Sequence, residues 1–450
     1  MTPAGRGDRD RSTAGDGAGA GAGAGAGTPR ETVVLDVGGP AHGGAVIGRL
    51  DGQVVFVDGA LPDERGVTVE LDPASSSRSR RRFRTGHAVA VADPSPDRVG
   101  PVCPAARAGA GCCDLDTVTP AGALALKRRV VVDQMRRIGH VDLTPDASTG
   151  GLVTSAQPEP VTGYRTRVRL GVDADGRLGA RRRGGHDLVP VAGAPCAQWS
   201  PALVEAVAAC DAAGADPGTD VCVAVGSDGG WAAVEIGGPR SRTRRRVLTG
   251  AGPDGAGDRR GLVRHVVDGR GWEIPAEAFW QAHRAAPELY TRWIRDHVPA
   301  GPGCGWDLYG GAGVFAATLA GLVDGGVDCV DVATGATAAG RATLGDLDVR
   351  FVDGAVDRRI DGLRSRGGLH VVCLDPPRTG AGAETVRRVA AARPRHVVHV
   401  ACDPATGARD LAAWREEGYG LRALTVVDAF GLTHHVEVLM HLTPTSDAGE

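Results

Sequence analysis

Lysine is almost missing from this chain. Lys127 is the only one among 51 basic residues, in a sequence that carries 69 glycines in 450 positions. Such an Ala-, Gly-, Arg- and Val-heavy composition is what GC-rich coding produces, so part of the arginine excess is compositional bias. No apolar run reaches the ~18 residues that a membrane span needs. The N-terminus has no apolar signal core either, and a cytoplasmic protein without a membrane partner is expected. Cysteine is also scarce: ten in 450 residues is too few for a secreted disulfide scaffold, and clustered cysteines in a cytoplasmic chain point to metal, cluster or catalysis. There is no Gly-Lys-Ser/Thr phosphate loop, which argues against a bound triphosphate.

What is present divides the chain into four parts. The formal net charge is −3 and the hydrophobic content 42%, enough for two to four domains at roughly 150 residues each. Residues 1–30, with "AGAGAGAGAG", hold almost no bulky apolar side chain and are expected to be a disordered Gly/Ala-rich tail. Residues 31–95 alternate apolar and polar positions between Gly and Asp-Gly turns, the pattern of a small OB-like antiparallel barrel. Within them "SSSRSRRRFR" (75–84) is either a solvated loop or a phosphate-contacting one with Phe83 free to stack on a base. Residues 96–275 form a strand-rich central region. It opens on a cysteine-bearing segment and a helical stretch, "TPAGALALKRRVVVDQMRRIG", and continues into a hairpin around Asp-Gly-Arg. A further arginine run, "PRSRTRRRV" (239–247), adds to the local basic patches that suit a polyanion. From 276 to 450 buried strands alternate with helices, which predicts an α/β domain with a Rossmann-like sheet.

Three turns of that last region carry chemistry. In "WDLYGGAGVFAATLA" a strand ending at Tyr309 runs into glycines and then a helix, where α/β folds bring backbone close to a nucleotide. The next strand, "VDCVDV", ends in Asp331, placed to accept hydrogen bonds from a ribose. A ribose without a pyrophosphate fits S-adenosylmethionine better than NAD. Asp375-Pro376-Pro377-Arg378 closes a later strand with prolines that keep the chain extended. In "VVHVACDPAT" Asp-Pro breaks the strand directly after Cys402, presenting that thiol, whereas Cys329 and Cys373 lie inside strands as core residues.

Taken in order, the barrel, the cysteine motif, "FWQAHRAAPELY", "DLYGGAG", "LDPPRTG", "ACDPAT" and the terminal "HHVEVLMHL" resemble the class I S-adenosylmethionine-dependent RNA 5-methyluridine methyltransferases, which carry a TRAM domain and act on tRNA or rRNA. The resemblance spans about residues 32–442. It implies that Gln281, Tyr309, Asp331 and Asp375 contact S-adenosylmethionine, that Cys402 is the nucleophile and that Glu437 is the general base. C5 of uracil is a poor nucleophile until a thiolate adds to C6, and the C5 proton must leave before the thiol is eliminated. The target base must also be unstacked, which suits RNA loops. Cys103, Cys112, Cys113 and Cys196 offer four thiolates. The resemblance implies a [4Fe–4S] cluster there, with zinc or plain thiols as alternatives, because this chain has adjacent Cys112 and Cys113 where relatives carry Cys-Gly-Gly-Cys. Asp331 stands in place of glutamate, Asp403 in place of asparagine, and Val314 in place of asparagine. The expectation is thus a monomeric RNA (uracil-C5) methyltransferase. An RNA-binding or assembly protein that keeps the fold with little catalysis is the main alternative, and a methyltransferase of another pyrimidine or a small molecule the second.

Overall fold

The computed structural model describes residues 31–73, 82–143, 152–210, 215–237, 245–255 and 260–445. The Gly/Ala-rich tail and most of the two arginine runs, at 75–84 and 239–247, lie outside the described residues. Among the described residues, no helix is long and apolar enough to cross a membrane.

Residues 32–93 form a six-stranded sheet curled around Val46, Val55, Val57, Val67, Val69 and Leu71. Arg65–Leu71 buries every second residue, because one face lines the barrel interior and the other turns outward. Phe83 is half-buried, with its ring edge-on to Phe56 at 5.3 Å. A second six-stranded antiparallel sheet, from Arg167 to Ala251, includes the expected hairpin: Arg167–Val172 pairs with Leu178–Arg181 across the Asp-Gly turn. A separate hairpin, Leu262–Val267 with Arg270–Pro275, leads into the last region.

There the sheet has seven strands, numbered along the chain: β1 Cys304–Leu308, β2 Val327–Asp331, β3 Val349–Asp353, β4 Leu369–Leu374, β5 His396–Ala401, β6 Tyr419–Val427 and β7 Glu437–Pro444. Their order across the sheet is 3-2-1-4-5-7-6, with β1 to β5 parallel and β7 antiparallel to both its neighbours. All six residues of β4 are buried, as a central parallel strand covered on both faces must be. One face packs on the helices Pro120–Arg137, Ala383–Ala391 and Pro404–Glu416 through Val131, Met135, Val386, Leu411 and Trp414. The other packs on Ala286–His297 and Val314–Ala320 through Tyr290, Ile294, Phe315 and Leu319.

Two segments that the sequence pattern assigned to the central region belong to this sheet instead. The helix Pro120–Arg137 covers one of its faces, and Val153–Ala156 adds an eighth strand parallel to β6. An 18-residue helix and a four-residue strand carry no signal of which sheet they will join. What binds them is Lys127. Its ammonium is fully buried and bonds the Asp428 carboxylate, just past β6, and the Phe430 carbonyl at 3.1 Å. Gln157 donates to the other Asp428 oxygen at 2.9 Å. Burial pushes the Lys127 ammonium below its ordinary pKa range, and the Asp428 charge opposes that shift.

Lys127→Met strands Asp428 as a buried, uncompensated charge and is expected to cost about 3–5 kcal/mol, read from denaturant unfolding. Lys127→Met combined with Asp428→Leu should recover most of that loss. If the double variant is as unstable as the single one, the pair is not what holds the helix.

Candidate active site and the four-cysteine site

The strand register assembles the candidate residues at one edge of the sheet. Leu308 pairs with Leu374 and with Val330, which brings the ends of β1, β4 and β2 level. Tyr309, Asp375 and Asp331 therefore stand together beyond the carboxyl ends of three neighbouring strands. Because β7 is antiparallel, its first residue lies at this same edge. Ala401 pairs with Val438, so the next step of the ladder sets Cys402 opposite Glu437.

Local sequence explains how each group is presented. Asp403 caps the helix Pro404–Glu416 by accepting from the Thr406 amide at 2.9 Å, with Pro404 in the first turn. Thr119-Pro120 and Ser200-Pro201 begin helices in the same way. The Asp-Pro pair therefore does two jobs: it ends β5 and starts a helix, leaving Cys402 half-buried at the junction. After β4 the prolines carry the chain on to a loop whose Ala381 and Gly382 amides bond Asp410, at 2.7 and 3.0 Å. Tyr309 has a left-handed backbone, φ 61°, which costs a non-glycine residue on the order of 1–3 kcal/mol. Gly313 also has a positive φ, and a Cβ there would meet the Phe351 ring at 2.7 Å, so only glycine allows the turn into the helix Val314–Ala320. Val314 begins that helix and packs into the core.

The electrostatics of this edge are one-sided. Asp307 is fully buried and accepts from the Ala316 amide at 2.8 Å. Burial, with Asp375 and Asp331 nearby, pushes its carboxyl up to about 7. Burial and the Asp331 charge push Asp375 up to about 7 as well. Glu437 is buried, and burial with the Asp375 charge holds it well above the usual carboxylate range, against the pull of Arg378. Cys402 is pushed up to about 12 by burial, Glu437 and Asp375, again opposed by Arg378. Polar atoms are left over beside these groups. Glu437 Oε2, Asp307 Oδ1 and the Tyr290 hydroxyl are buried without a hydrogen-bond partner among the described residues. Buried polar groups rarely stay unpaired, and crowded acids favour a cation. The edge is therefore suited to a positively charged, hydrogen-bonding ligand, and S-adenosylmethionine is one.

Asp331 is less free than its position suggested. Its two oxygens accept from the Gly311 and Ala333 amides at 2.9 and 2.7 Å, so it also pins the glycine turn. A carboxylate has lone pairs to spare for a ribose hydroxyl. Val332, which follows it, is 67% exposed and offers an apolar surface at the same edge. Gln281 is half-buried in the turn before the helix Ala286–His297 and, among the described residues, makes no hydrogen bond with the other candidates. Cys329 and Cys373 are core thiols, fully buried in β2 and β4. Asp403 does not stand as a loose negative charge beside Cys402, because His42 of the barrel pairs with it at 3.0 Å.

Two participants were missed from the sequence. Tyr290 ends the "FWQAHRAAPELY" motif. Burial, and then Glu437, Asp375 and Cys402, push its phenol well above the ordinary range. Its place in that motif was the available signal. Arg378 was legible as part of Asp-Pro-Pro-Arg but had no assigned role. It is the cation that acts on both Cys402 and Glu437, and it donates to the His435 ring at 3.3 Å.

The second constellation is equally well assembled. Cys103, Cys112, Cys113 and Cys196 converge from segments some eighty residues apart, with all four sulfurs within 4.8 Å of one another. That spacing does not fit the expected [4Fe–4S] cluster, whose cysteine sulfurs sit on separate irons about 6 Å apart.

Residues 28–75 match the TRAM domain. An uncharacterised RNA methyltransferase of Corynebacterium glutamicum is 38% identical over 423 residues, spanning 91% of this chain and 96% of that protein. A 23S rRNA (uracil(1939)-C(5))-methyltransferase of an Azoarcus species is 30% identical over 437 residues, spanning 88% and 96%. The chain belongs to the RNA 5-methyluridine methyltransferase family. Its fold is that of the Pyrococcus abyssi tRNA (uracil-54, C5)-methyltransferase, solved with S-adenosyl-L-homocysteine, at a TM-score of 0.61 and 18% identity, covering 91% of this chain and 100% of that one. This methyltransferase thus carries its acid-rich edge on an S-adenosylmethionine-type sheet.

The raised carboxyls have a cost that can be measured. A carboxyl near 4 in the unfolded chain and near 7 when folded keeps its proton in the folded state alone between those values. Stability from that group is therefore present at low pH and is lost as pH rises toward 7 and beyond. Asp375→Asn should raise the melting temperature of the ligand-free protein at pH 8 by about 2–4 °C and flatten its dependence on pH. No gain at pH 8 would mean that Asp375 is not held against its charge.

Proposed function

We propose that this enzyme methylates C5 of a uridine in tRNA or rRNA through a covalent bond between Cys402 and C6. The observation that carries the reading is the register of β5 and β7: it pairs Ala401 with Val438, so Cys402 and Glu437 come next on their two chains, and the Glu437 charge acts on the thiol at the edge with the excess of acid. S-adenosylmethionine, when bound, supplies an electrophilic methyl group and positive charge. Gln281, Tyr309, Asp331 and Asp375 are its proposed contacts, and the unpaired Tyr290 hydroxyl is a further donor beside them.

The residues of the chain do the rest. Cys402 adds as thiolate to C6, and the C5–C6 π electrons move onto C5 and the C4 oxygen, leaving C5 able to take the methyl group. In the ligand-free state this thiolate is disfavoured by Glu437 and Asp375. Arg378 and a cationic ligand each ease it, and Glu437 must be ionised when its turn as base comes. Once C5 carries both hydrogen and methyl, Glu437 removes the proton. The electron pair re-forms the C5–C6 bond and expels the Cys402 thiolate. Burial and the adjoining Asp375 keep Glu437 a strong base, since a carboxyl that resists ionisation accepts a proton readily.

RNA would approach over the barrel and the exposed aromatic next to Gln281. Phe279 is 72% exposed and offers a stacking face for an unpaired base, a contact that tolerates any sequence. His42 meets Asp403, and Gly44, with φ +88°, lies so close to His434 that an added Cβ would come within 2.9 Å. The barrel therefore touches both segments that carry reacting groups.

Incubation with 5-fluorouridine-substituted total RNA and S-adenosylmethionine tests this reading, because fluorine cannot leave C5 as a proton. A covalent protein–RNA adduct on a denaturing gel is expected for wild type and absent for Cys402→Ala. Glu437→Gln should accumulate an adduct on ordinary RNA, with turnover reduced at least 100-fold, the low end of a general base's contribution of about 10²–10⁴. Tight binding of RNA and cofactor without any adduct would instead support an RNA-binding or assembly role.

A further inference from the structure

Cys103, Cys112, Cys113 and Cys196 are spaced for one ion. The sulfur separations are 3.7 Å for Cys103–Cys112, 3.8 Å for Cys103–Cys196 and 3.6 Å for Cys113–Cys196. Four thiolates bound to a single zinc at about 2.3 Å form a tetrahedron with edges of about 3.8 Å. The three separations fall at or just under that edge. A cubane needs its thiolates about 6 Å apart, so all four side chains would have to retreat through packed surroundings. Three of the four cysteines are buried, and they pack with Ala105, Leu170, Trp199 and Leu203.

The groups around the sulfurs support bound thiolates. The Ala106 and Ala197 amides both face Cys103 Sγ at 3.5 Å, and the Gln198 side chain donates to Cys113 Sγ at 3.2 Å. Gln198 is 2% exposed, and the same amide nitrogen also bonds the Cys112 carbonyl at 2.6 Å. Such outer partners orient ligands and are a regular part of a metal site. We propose that the four cysteines hold a single zinc ion as a closed tetrathiolate, in place of a [4Fe–4S] cluster. A closed site leaves no position for substrate, so its role is structural.

What it supports is the segment that leads to Glu437. The amides of Asp114 and Leu115, directly after Cys113, both donate to the Leu432 carbonyl, at 3.1 and 3.0 Å. The Asp114 carboxylate accepts from the His434 amide at 2.8 Å and also meets its ring. One ion therefore anchors the chain on the far side of two consecutive hydrogen-bonded turns from the proposed base.

The test is a metal and sulfide assay on the whole chain, produced with iron and zinc both supplied and purified without oxygen or chelator. About one zinc per chain is expected, with no acid-labile sulfide and no broad visible absorption. Exchange of zinc for cobalt should yield the intense long-wavelength bands of four-sulfur tetrahedral coordination. Cys112→Ser removes a direct ligand and should weaken zinc binding by more than the ~10–100-fold that loss of an outer partner costs, and shift those bands toward a three-sulfur spectrum. Four irons with four sulfides would overturn the proposal, as would a single iron without sulfide or a failure to take up either zinc or cobalt. The cobalt spectrum of the unaltered chain decides the matter even if the serine variant does not fold. Hydrogen exchange at residues 432–436 should rise on zinc removal while that of β5 stays unchanged. Equal protection with and without metal would sink the proposed link to Glu437.

Discussion

The buried ammonium of Lys127 joins three pieces of chain at one point: the helix Pro120–Arg137, the end of β6, and the loop that turns back into β7. Its chemistry explains why lysine survives here in a sequence that uses arginine everywhere else. The site offers the Asp428 carboxylate and the Phe430 carbonyl in a fully enclosed space. A compact ammonium is satisfied by few acceptors. A guanidinium would bring five donors in a flat fork and leave several of them buried and unpaired. Compositional drift toward arginine stops where desolvation makes it too costly. The consequence reaches the chemistry, because the loop held by this contact sets where β7 begins, and β7 begins with Glu437.

That placement gathers negative charge without balancing it. Asp307, Asp375 and Glu437 are all held above their usual pKa ranges by burial and by neighbouring carboxylates, and Cys402 is held high for the same reason. Arg378 opposes the shift at Glu437 and Cys402, and it is exposed. A fold selected for stability alone would not keep such a cluster. Its persistence makes sense if the ligand carries the missing positive charge, so that the protein's electrostatics are complete only in the complex. The unpaired hydroxyl of Tyr290 fits the same logic: it is a donor waiting in a dry site for something the polypeptide does not supply.

Much of this was readable from residue order. Buried strands alternating with helices announced the parallel sheet, and Asp-Pro after Cys402 announced a presented thiol. What escaped was long-range partnership. Val153–Ala156 reads as any short strand, and only the packing of its neighbours sends it to β6. Tyr290 reads as one more apolar helix position, because a periodic pattern cannot distinguish a ring that fills the core from one whose hydroxyl reaches a site. Arg378 was hidden by the arginine bias itself. The four cysteines could be counted but not measured, and the choice between one ion and a cluster rests on a difference of a few ångströms between sulfurs.

The departure at Asp403 shows how a sequence difference can reverse its meaning once its neighbours are known. An added carboxylate beside a nucleophilic cysteine reads as harmful, since it would raise the cost of forming the thiolate. In the fold, one of its oxygens caps a helix and the other meets His42. The carboxylate is therefore partly spent on a backbone amide and partly paired, and Cys402 is held high by burial, Glu437 and Asp375 instead. The replacement also gives the barrel a contact with the Cys402 loop that an asparagine would make more weakly, because a charged acceptor strengthens the hydrogen bond to imidazole. Gly44 of the same barrel loop lies against His434, so the module that would grip RNA rests on the segments of Cys402 and Glu437 at once. Any shift of the barrel on binding RNA must then be felt at Cys402 and Glu437 together. A substitution that looked like a loss of the thiolate's surroundings is better understood as a fastening between the RNA-facing barrel and the chemistry it serves.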